Sequence, residues 1–295
     1  MLKERSRRTI MKQAKIVILA GQSNAVGVGH LKCLPKHFSA EKIKEYYDGY
    51  ENIKINYYSH DKKSEGFVPV TVGCTEISKE TLGPEVGMAE LFSEKYPDEE
   101  IFIVKCAFGG SCMWRDWISP SSAVDGYDEN SYANQHEHII QAMEQGLPIS
   151  AGWCYNELVK ILGESISYLK DNGYAPKVYG FCWMQGESDT FITEQVTEYE
   201  RRFDNLLSDL NSSFGEYLED CVYIDAGISE VWGLYKEMNE VKKTRAAKHK
   251  NTFFIDTIAN GLTTANEPVE EPDTFHYDSD SVIKLGGLFA EKIEF

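Results

Sequence analysis

The sequence predicts a three-layer α/β/α sandwich built on a mostly parallel sheet. Short apolar runs recur along the chain, and most end in glycine or a polar residue, which is typical of strands buried inside a parallel sheet. Segments with apolar residues at helical spacing separate these runs, without a linker, repeat or low-complexity segment. This alternation indicates one domain over residues 15–295, preceded by a basic, flexible tail over residues 1–14.

The individual strands and helices follow from these two patterns. Five apolar runs predict strands at 16–20, 101–107, 178–184, 222–225 and 253–256, and two alternating segments predict short strands at 53–58 and 67–72. Helices are predicted at 84–96, 154–171, 193–210, 234–249 and 281–293, with a shorter one near 138–144. Pro84 suits the first turn of its helix, and Asn172-Gly173 ends the second helix.

Composition narrows the class of protein. The net charge of −17 excludes a general nucleic-acid or anionic-membrane surface, both of which need clustered positive charge. The apolar run after the basic start has five residues, too few for a secretory signal, and no stretch is long enough for a membrane span. The seven cysteines are widely spaced without a CxxC pair, which favours a reducing compartment. We therefore expect a cytoplasmic protein without nucleic-acid or membrane partners; its oligomeric state stays open.

The segment Gly21-Gln22-Ser23-Asn24 follows the first predicted strand directly. Open α/β sheets bind their ligands outside the carboxyl ends of the strands, so a serine at this point is a candidate nucleophile. Gly21 allows the sharp turn that such a position requires. The alternative is that Ser23 and Asn24 merely cap the next helix, and this segment alone does not separate the two interpretations.

Three other segments could meet Ser23 at the same edge of the sheet. Gly109-Gly110 follows the second strand, and Gln185-Gly186-Glu187 follows the third. Near the C-terminus, Asp273 and His276 are three residues apart, close enough for the carboxylate to hold the imidazole in one tautomer. Together these segments supply a nucleophile, a base, its orienting acid and oxyanion donors.

With these segments in this order, the chain resembles the SGNH hydrolases, and among them the carbohydrate esterase family that includes sialate O-acetylesterases and acetylxylan esterases. The matching segments are Gly21–Asn24, Gly83–Glu85, Ala107–Ser111, Trp183–Asp189 and Asp273–His276. The resemblance covers roughly residues 15–293 and implies a flavodoxin-like sandwich. The sequence departs from the family at Met184, where many relatives have a histidine.

The resemblance implies a role for each matching residue. Ser23 would be the nucleophile, His276 the general base and Asp273 its orienting acid. The backbone N–H groups of Ser23 and Gly110, with the side chain of Gln185, would form the oxyanion hole. Three further side chains are expected to support the site: Gln22, Asn24 and Glu187. For Glu187 the alternative is that it binds the sugar.

The long irregular segment at 112–150 is predicted to be a loop insertion, a feature often used as a lid or binding loop. Its residues Trp114 and Trp117 are candidates for stacking on a sugar ring. The alternative is that they pack the loop onto the domain.

The expected activity is that of a serine esterase, which removes O-acetyl groups from a carbohydrate of the sialic acid or xylan type through an acetyl-enzyme. Two alternatives stay open: a general short-chain esterase or lipase, and a non-catalytic sugar-binding protein of the same fold. No cofactor is expected. The spacing of His30, Cys33 and His37 suggests zinc, but it lacks an evident fourth ligand, and Pro35 favours a loop there, so no metal is expected either.

Overall fold

The computed structural model describes residues 11–60, 62–73, 80–122 and 152–295 of the chain. Its strands are β1 (Lys12–Gly21), β2 (Gly29–His30), β3 (Tyr50–Ser59), β4 (Lys62–Lys63), β5 (Val68–Val70), β6 (Thr81–Leu82), β7 (Ile101–Ala107), β8 (Tyr174–Met184), β9 (Val222–Ala226) and β10 (Thr252–Ile255). Its α-helices are α1 (Ser23–Val26), α2 (Ala40–Asp48), α3 (Glu85–Lys95), α4 (Trp153–Asp171), α5 (Thr193–Leu218), α6 (Tyr235–Lys248) and α7 (Ser279–Ala290). Short 3₁₀ helices cover Leu31–Lys36, Pro120–Ser122 and Glu187–Asp189.

The described strands form an eight-stranded main sheet and a small β2-β6 sheet. The order of the main sheet is β4-β3-β7-β1-β8-β9-β10, and β5 pairs with β3 outside this path. The six strands from β3 to β10 in that order run parallel, whereas β4 and β5 are antiparallel to β3. β1 lies in the middle, and its residues Ile16 to Ala20 are fully buried, as a strand covered on both faces requires. The predicted fold, a mostly parallel sheet in an α/β sandwich, is confirmed.

Neighbouring residues of β8 show that helices cover both faces of this sheet. The rings of Phe181 and Trp183 contact Phe203 of α5, with centroids 6.4 and 5.0 Å apart. Gly180 lies instead against the side chain of Ile293, which follows α7. Because successive residues of a strand face opposite sides of the sheet, α5 and α7 lie on different faces.

β1 marks the point where the strand order of the sheet reverses. The chain runs from β1 to β3 and β7 on one side, and later to β8, β9 and β10 on the other. Ligands of open α/β sheets bind beside the carboxyl end of the strand at such a switch point. Gly21 ends β1 there with a φ of 145°, and a Cβ on it would lie 1.9 Å from the carbonyl oxygen of Met184. Only glycine lets the end of β1 pass so close to β8.

Several predicted elements have different ends in the structure. β1 begins at Lys12, so the last residues of the predicted tail belong to a strand. β8 begins at Tyr174, four residues before the predicted start. α5 continues to Leu218 past a non-helical Phe214, and α2 was not predicted. The predicted helix near 138–144 and most of the predicted insertion at 112–150 lie outside the described residues. In the described part of the chain, no helix is both long enough and apolar enough to span a membrane.

The contact between α3 and α7 provides a sharp test of the packing. A Cβ added to Gly286 of α7 would lie 1.8 Å from the carbonyl oxygen of Pro84, a backbone atom that cannot rotate away. We expect Gly286→Ala to lower the free energy of unfolding by about 3 kcal/mol and the Tm by about 6–12 °C.

The matched control is Gly287→Ala on the same helix. A Cβ at Gly287 would meet no atom within 4 Å, so this variant should unfold within about 1 kcal/mol of the wild type in urea. Equal stability of the two variants would contradict the close approach of the helices.

Candidate active site

Ser23 is the first residue of α1 and is 7% exposed. The turn before it is held by both neighbouring strands. The N–H of Gln22 donates to the carbonyl of Met184 at 2.8 Å, and the N–H of Phe108 donates to the carbonyl of Gly21 at 3.0 Å. As the first helical residue, Ser23 also has a backbone N–H without an acceptor inside the helix. The backbone thus fixes the serine and directs an N–H beyond the end of the helix.

Asp273 and His276 form a hydrogen-bonded pair on the loop between β10 and α7. The Nδ1 atom of His276 lies 2.5 Å from the Oδ2 atom of Asp273, whose Oδ1 atom accepts the backbone N–H of Phe275 at 2.9 Å. Burial alone would raise the pKa of the Asp273 carboxyl. The hydrogen bond and charge of His276, together with the backbone N–H donors, outweigh burial, and the pKa is lowered below its ordinary value. The carboxylate therefore stays charged and leaves Nε2 of the imidazole to exchange a proton elsewhere.

The side chain of Asn24 connects the serine turn to the histidine loop. Its Oδ1 atom accepts the backbone N–H of Tyr277 at 3.0 Å, and its Nδ2 atom donates to Oε1 of Glu187 at 2.9 Å. Asn24 is next to Ser23 in the chain, and Tyr277 is next to His276. One buried amide therefore brings together the two loops that carry the predicted nucleophile and base.

Glu187 lies wholly inside the protein beneath Asn24. Burial is the largest influence on its pKa, which is raised, while the hydrogen bond from Asn24 and the charges of Lys242 and His276 oppose the shift. A carboxyl group so placed orients Asn24 from inside the protein and does not reach the surface.

The side chain of Gln22 links its own turn to the segment after β8. Its Oε1 atom accepts the Nε2 group of Gln185 at 3.2 Å and the backbone N–H groups of Gly186 and Ser188 at 3.4 and 3.2 Å. The first and third strands of the predicted site are therefore held together at their carboxyl ends.

Gln185 itself faces the protein interior. Its Nε2 group also donates to the carbonyl of Ser111 at 3.1 Å and to Oδ2 of Asp189 at 2.6 Å, and the residue is fully buried. With Oε1 of Gln22, three acceptors therefore share the two hydrogens of this amide group. The prediction that this side chain donates to the reacting carbonyl does not fit these contacts.

The turn after β7 lies beside Ser23, as the motif order predicts. A Cβ on Gly109 would be 4.0 Å from the Cβ of Ser23 and 3.6 Å from Nδ1 of His60, and Gly110 has a left-handed φ of 69°. His60 was missed in the sequence because it belongs to no motif. The available signal was its position directly after the predicted strand at 53–58, which puts it at the same sheet edge.

Comparison with known proteins identifies the family. A family model described as "Carbohydrate esterase, sialic acid-specific acetylesterase" matches residues 13–294, which is nearly the whole sequence. The chain belongs to this carbohydrate esterase family. A search of curated protein sequences finds no match.

Several solved structures of other proteins share the fold of this carbohydrate esterase. NanS is 17% identical with a TM-score of 0.60, and 95% of each chain is covered. A protein from Arabidopsis thaliana is 18% identical with a TM-score of 0.59, covering 94% of this chain and 96% of that one. A carbohydrate acetylesterase from Xanthomonas citri is 12% identical with a TM-score of 0.55, covering 95% of this chain and 55% of that one. The predicted resemblance to the carbohydrate esterase family of sialate O-acetylesterases is confirmed by the family model, and these structures share the fold.

One predicted sugar contact of this esterase must be corrected. Trp117 is fully buried, packs edge-on against Trp183 at 4.9 Å and donates its indole N–H to Ser111. It packs its segment onto the core and cannot reach a ligand. Trp114 is half-buried, and the guanidinium of Arg202 lies 3.9 Å from its ring centroid.

Helix α1 of this carbohydrate esterase, which begins at Ser23, is supported by a buried ion pair. Nζ of Lys105 donates to Oε2 of Glu85 at 2.6 Å and to the carbonyl of Val26, the last residue of α1, at 2.7 Å. Both charged side chains are fully buried. The Gly83-Pro84-Glu85 segment of the family thus supports the far end of the helix that Ser23 begins.

A metal ion would need several donor side chains close together. In the described part of the chain, one group of side chains approaches closely enough to share an ion: Glu200, Asp204 and His249. Both carboxylates already form ion pairs with basic side chains: Lys248 lies 2.7 Å from Glu200, and Arg245 lies 2.7 Å from Asp204. His37, from the zinc-like spacing, lies 2.6 Å from Glu267. Glu200, Asp204 and His249 thus belong to a partly exposed ion-pair cluster.

The buried carboxyl group of Asp189 should make the stability of this esterase depend on pH. Burial raises its pKa to about 7 from 3.8, against hydrogen bonds from Gln185 and two backbone N–H groups. Because the unfolded carboxyl ionises near 3.8, the folded chain binds more protons between these values. Its stabilising contribution is therefore complete below pH ~4 and is lost as the pH rises to about 7.

The measurement is urea unfolding of the wild type and Asp189→Asn at pH 5 and pH 8. Relative to the variant, the wild type should lose about 2–3 kcal/mol between the two pH values. The control Asp220→Asn removes an exposed carboxylate and should track the wild type. Parallel behaviour of the wild type and Asp189→Asn would contradict the raised pKa.

Proposed function

We propose that this carbohydrate esterase is a serine esterase that removes O-acetyl groups from a sugar of the sialic acid or xylan type. The observation that carries the proposal is the Asn24 bridge. It joins the turn of Ser23 to the loop on which His276 is already paired with Asp273. A nucleophile, a base and an orienting carboxylate held by one buried amide are the parts that acyl transfer needs.

In the first half of the reaction, Oγ of Ser23 attacks the ester carbonyl while Nε2 of His276 takes its proton. Asp273 stabilises the imidazolium that results. The backbone N–H groups of Ser23 and Gly110 donate to the oxygen that becomes negative, and such donors are typically worth about 3–4 kcal/mol each. We assign Gln185 a positioning role, because its amide holds Asp189 and the carbonyl of Ser111.

In the second half, the C–O bond to the sugar breaks, and the sugar oxygen takes the proton from His276. An acetyl-enzyme on Ser23 remains. Water then gives a proton to His276 and attacks the acetyl carbon, and acetate leaves as the proton returns to Ser23. This cycle needs no group beyond the residues named.

The test is acetate release from acetylated sialic acid, acetylated xylo-oligosaccharides and matched p-nitrophenyl acetate and butyrate. We expect hydrolysis of at least one acetylated sugar, acetate favoured over butyrate, and one acetyl group on the Ser23 peptide after rapid quenching. A preference for butyrate would instead support a general esterase or lipase. Absence of acetate release from every substrate would support a non-catalytic sugar-binding protein.

A further inference from the structure

Three aromatic side chains form a row that starts beside His276. We call Phe191, Trp232 and Phe275 the aromatic strip. The ring of Trp232 lies between the other two, with centroids 5.9 Å from Phe191 and 5.3 Å from Phe275. The three residues follow β8, β9 and β10, respectively, so neighbouring strands carry them to the same edge of the sheet as Ser23.

The strip is exposed where a ligand could reach it. Phe191 is 64% exposed and Phe275 is 51% exposed, and Val231 extends the apolar surface beside Trp232. Single exposed apolar side chains are ordinary on a protein surface, but a contiguous row beside a reactive group indicates a binding surface.

We propose that the aromatic strip binds the sugar ring of the ester's alcohol half by stacking against its apolar face. This inference rests on the proposed function, because the direction of the reaction decides which half of the substrate meets the strip. His276 must hand its proton to the departing sugar oxygen, so the sugar lies on the histidine side of the reacting carbon. Phe275 directly precedes His276, and the strip therefore borders the sugar and not the acetyl group.

The charged residues near the strip favour a ligand without a negative charge. Within two positions of its three rings the sequence has no lysine or arginine, whereas three residues are acidic: Asp189, Glu230 and Asp273. The C–H face of a neutral pyranose suits such a surface better than a carboxylate does, because an anion would meet like charge without a cationic partner.

The strip is also held in shape before any ligand arrives. The N–H of Phe275 donates to Asp273, and the side chain of Asn239 bonds both the N–H and the carbonyl of Ile228, at 2.8 and 2.9 Å, in the loop that leads to Trp232. Rings that are already packed together lose little freedom on binding, which increases the affinity for a flat partner.

The test compares Phe191→Ala with the wild type on two acetate esters: an acetylated methyl xylopyranoside and ethyl acetate, whose alcohol has no ring. Phe191 is chosen because it lies outside the catalytic loop. We expect the ratio of kcat/KM for the pyranoside over ethyl acetate to fall about fivefold to tenfold. Phe191→Tyr should restore the ratio, and Phe253→Ala, which removes a similarly exposed ring on β10, should leave it unchanged.

Two results would overturn the proposal. One is an unchanged kcat/KM ratio in Phe191→Ala, whether both esters lose activity equally or neither loses any. The other is analytical ultracentrifugation that finds the wild type dimeric and Phe191→Ala monomeric, which would make the strip an interface between chains. If the wild type hydrolyses neither these two esters nor any of the acetylated substrates named under the proposed function, the proposed function fails. In that case, saturation-transfer NMR with methyl xylopyranoside tests whether the strip binds a sugar. The ring-proton signals of the sugar should appear with the wild type and vanish with Phe191→Ala. Equal signals for the two proteins would contradict sugar binding by the strip.

Discussion

Replacing Ser23 with alanine is expected to lower kcat/KM for an acetylated sugar by about 10⁴- to 10⁶-fold, the range found when a catalytic serine is removed. In the proposed mechanism the variant lacks the oxygen that would carry the acetyl group, while the turn keeps its backbone hydrogen bonds to the ends of β7 and β8. The Asn24 bridge also remains. The Tm should therefore stay close to that of the wild type.

The measurement is steady-state hydrolysis with thermal unfolding of the same samples. Ser229→Ala is the matched control, because Ser229 is also a nearly buried serine on a loop after a parallel strand. It should keep activity within a few-fold. A Ser23→Ala enzyme within a hundredfold of the wild type would overturn the assignment of the nucleophile.

The second large effect is expected from Lys105→Met. This change removes the cation from the buried pair with Glu85 and leaves a carboxylate in the core without its strongest partner. Breaking a buried pair in this way typically costs about 3–5 kcal/mol. Because Lys105 also binds the carbonyl of Val26, activity should fall together with stability.

Urea unfolding measures the loss, and Lys54→Met on the neighbouring strand is its control. Lys54 pairs with Glu100 at 2.9 Å near the surface, where water screens the charges, so its loss should cost less than about 1 kcal/mol. Adding Glu85→Leu to Lys105→Met should recover part of the stability, since no buried charge then lacks a partner. Equal losses for Lys105→Met and Lys54→Met would contradict the buried pair.

The sequence predicted the parts of the fold that depend on uninterrupted apolar runs. The predicted strand at 101–107 matches β7 because every residue there is buried. The start of β8 was missed because Ala175, Pro176 and Lys177 carry no apolar pattern, although the parallel partner β1 extends them as a strand. α2 was missed because Tyr46 is its only buried residue and charged side chains dominate its sequence.

For the candidate site, sequence patterns located the segments but not the direction of each side chain. The Asp273–His276 spacing predicted a contact that one loop makes by itself. The orientation of Gln185 depends on Asp189 and on a carbonyl from β7's loop, and the burial of Trp117 depends on Trp183 from β8. Such orientations are decided by residues distant in sequence, so no local pattern contains them.

The Asn24 bridge has a consequence for the order in which the chain becomes active. Asn24 and Tyr277 are 253 positions apart, so their hydrogen bond closes one of the longest loops in the protein. Contacts of such separation carry a large closure entropy and are slow to form. A chain that has completed its central strands but not docked its last loop has not yet brought Ser23 and His276 together. If these residues act as proposed, recovery of esterase activity would report this docking step of folding. Local opening of that loop alone would silence the site while the sheet stays folded.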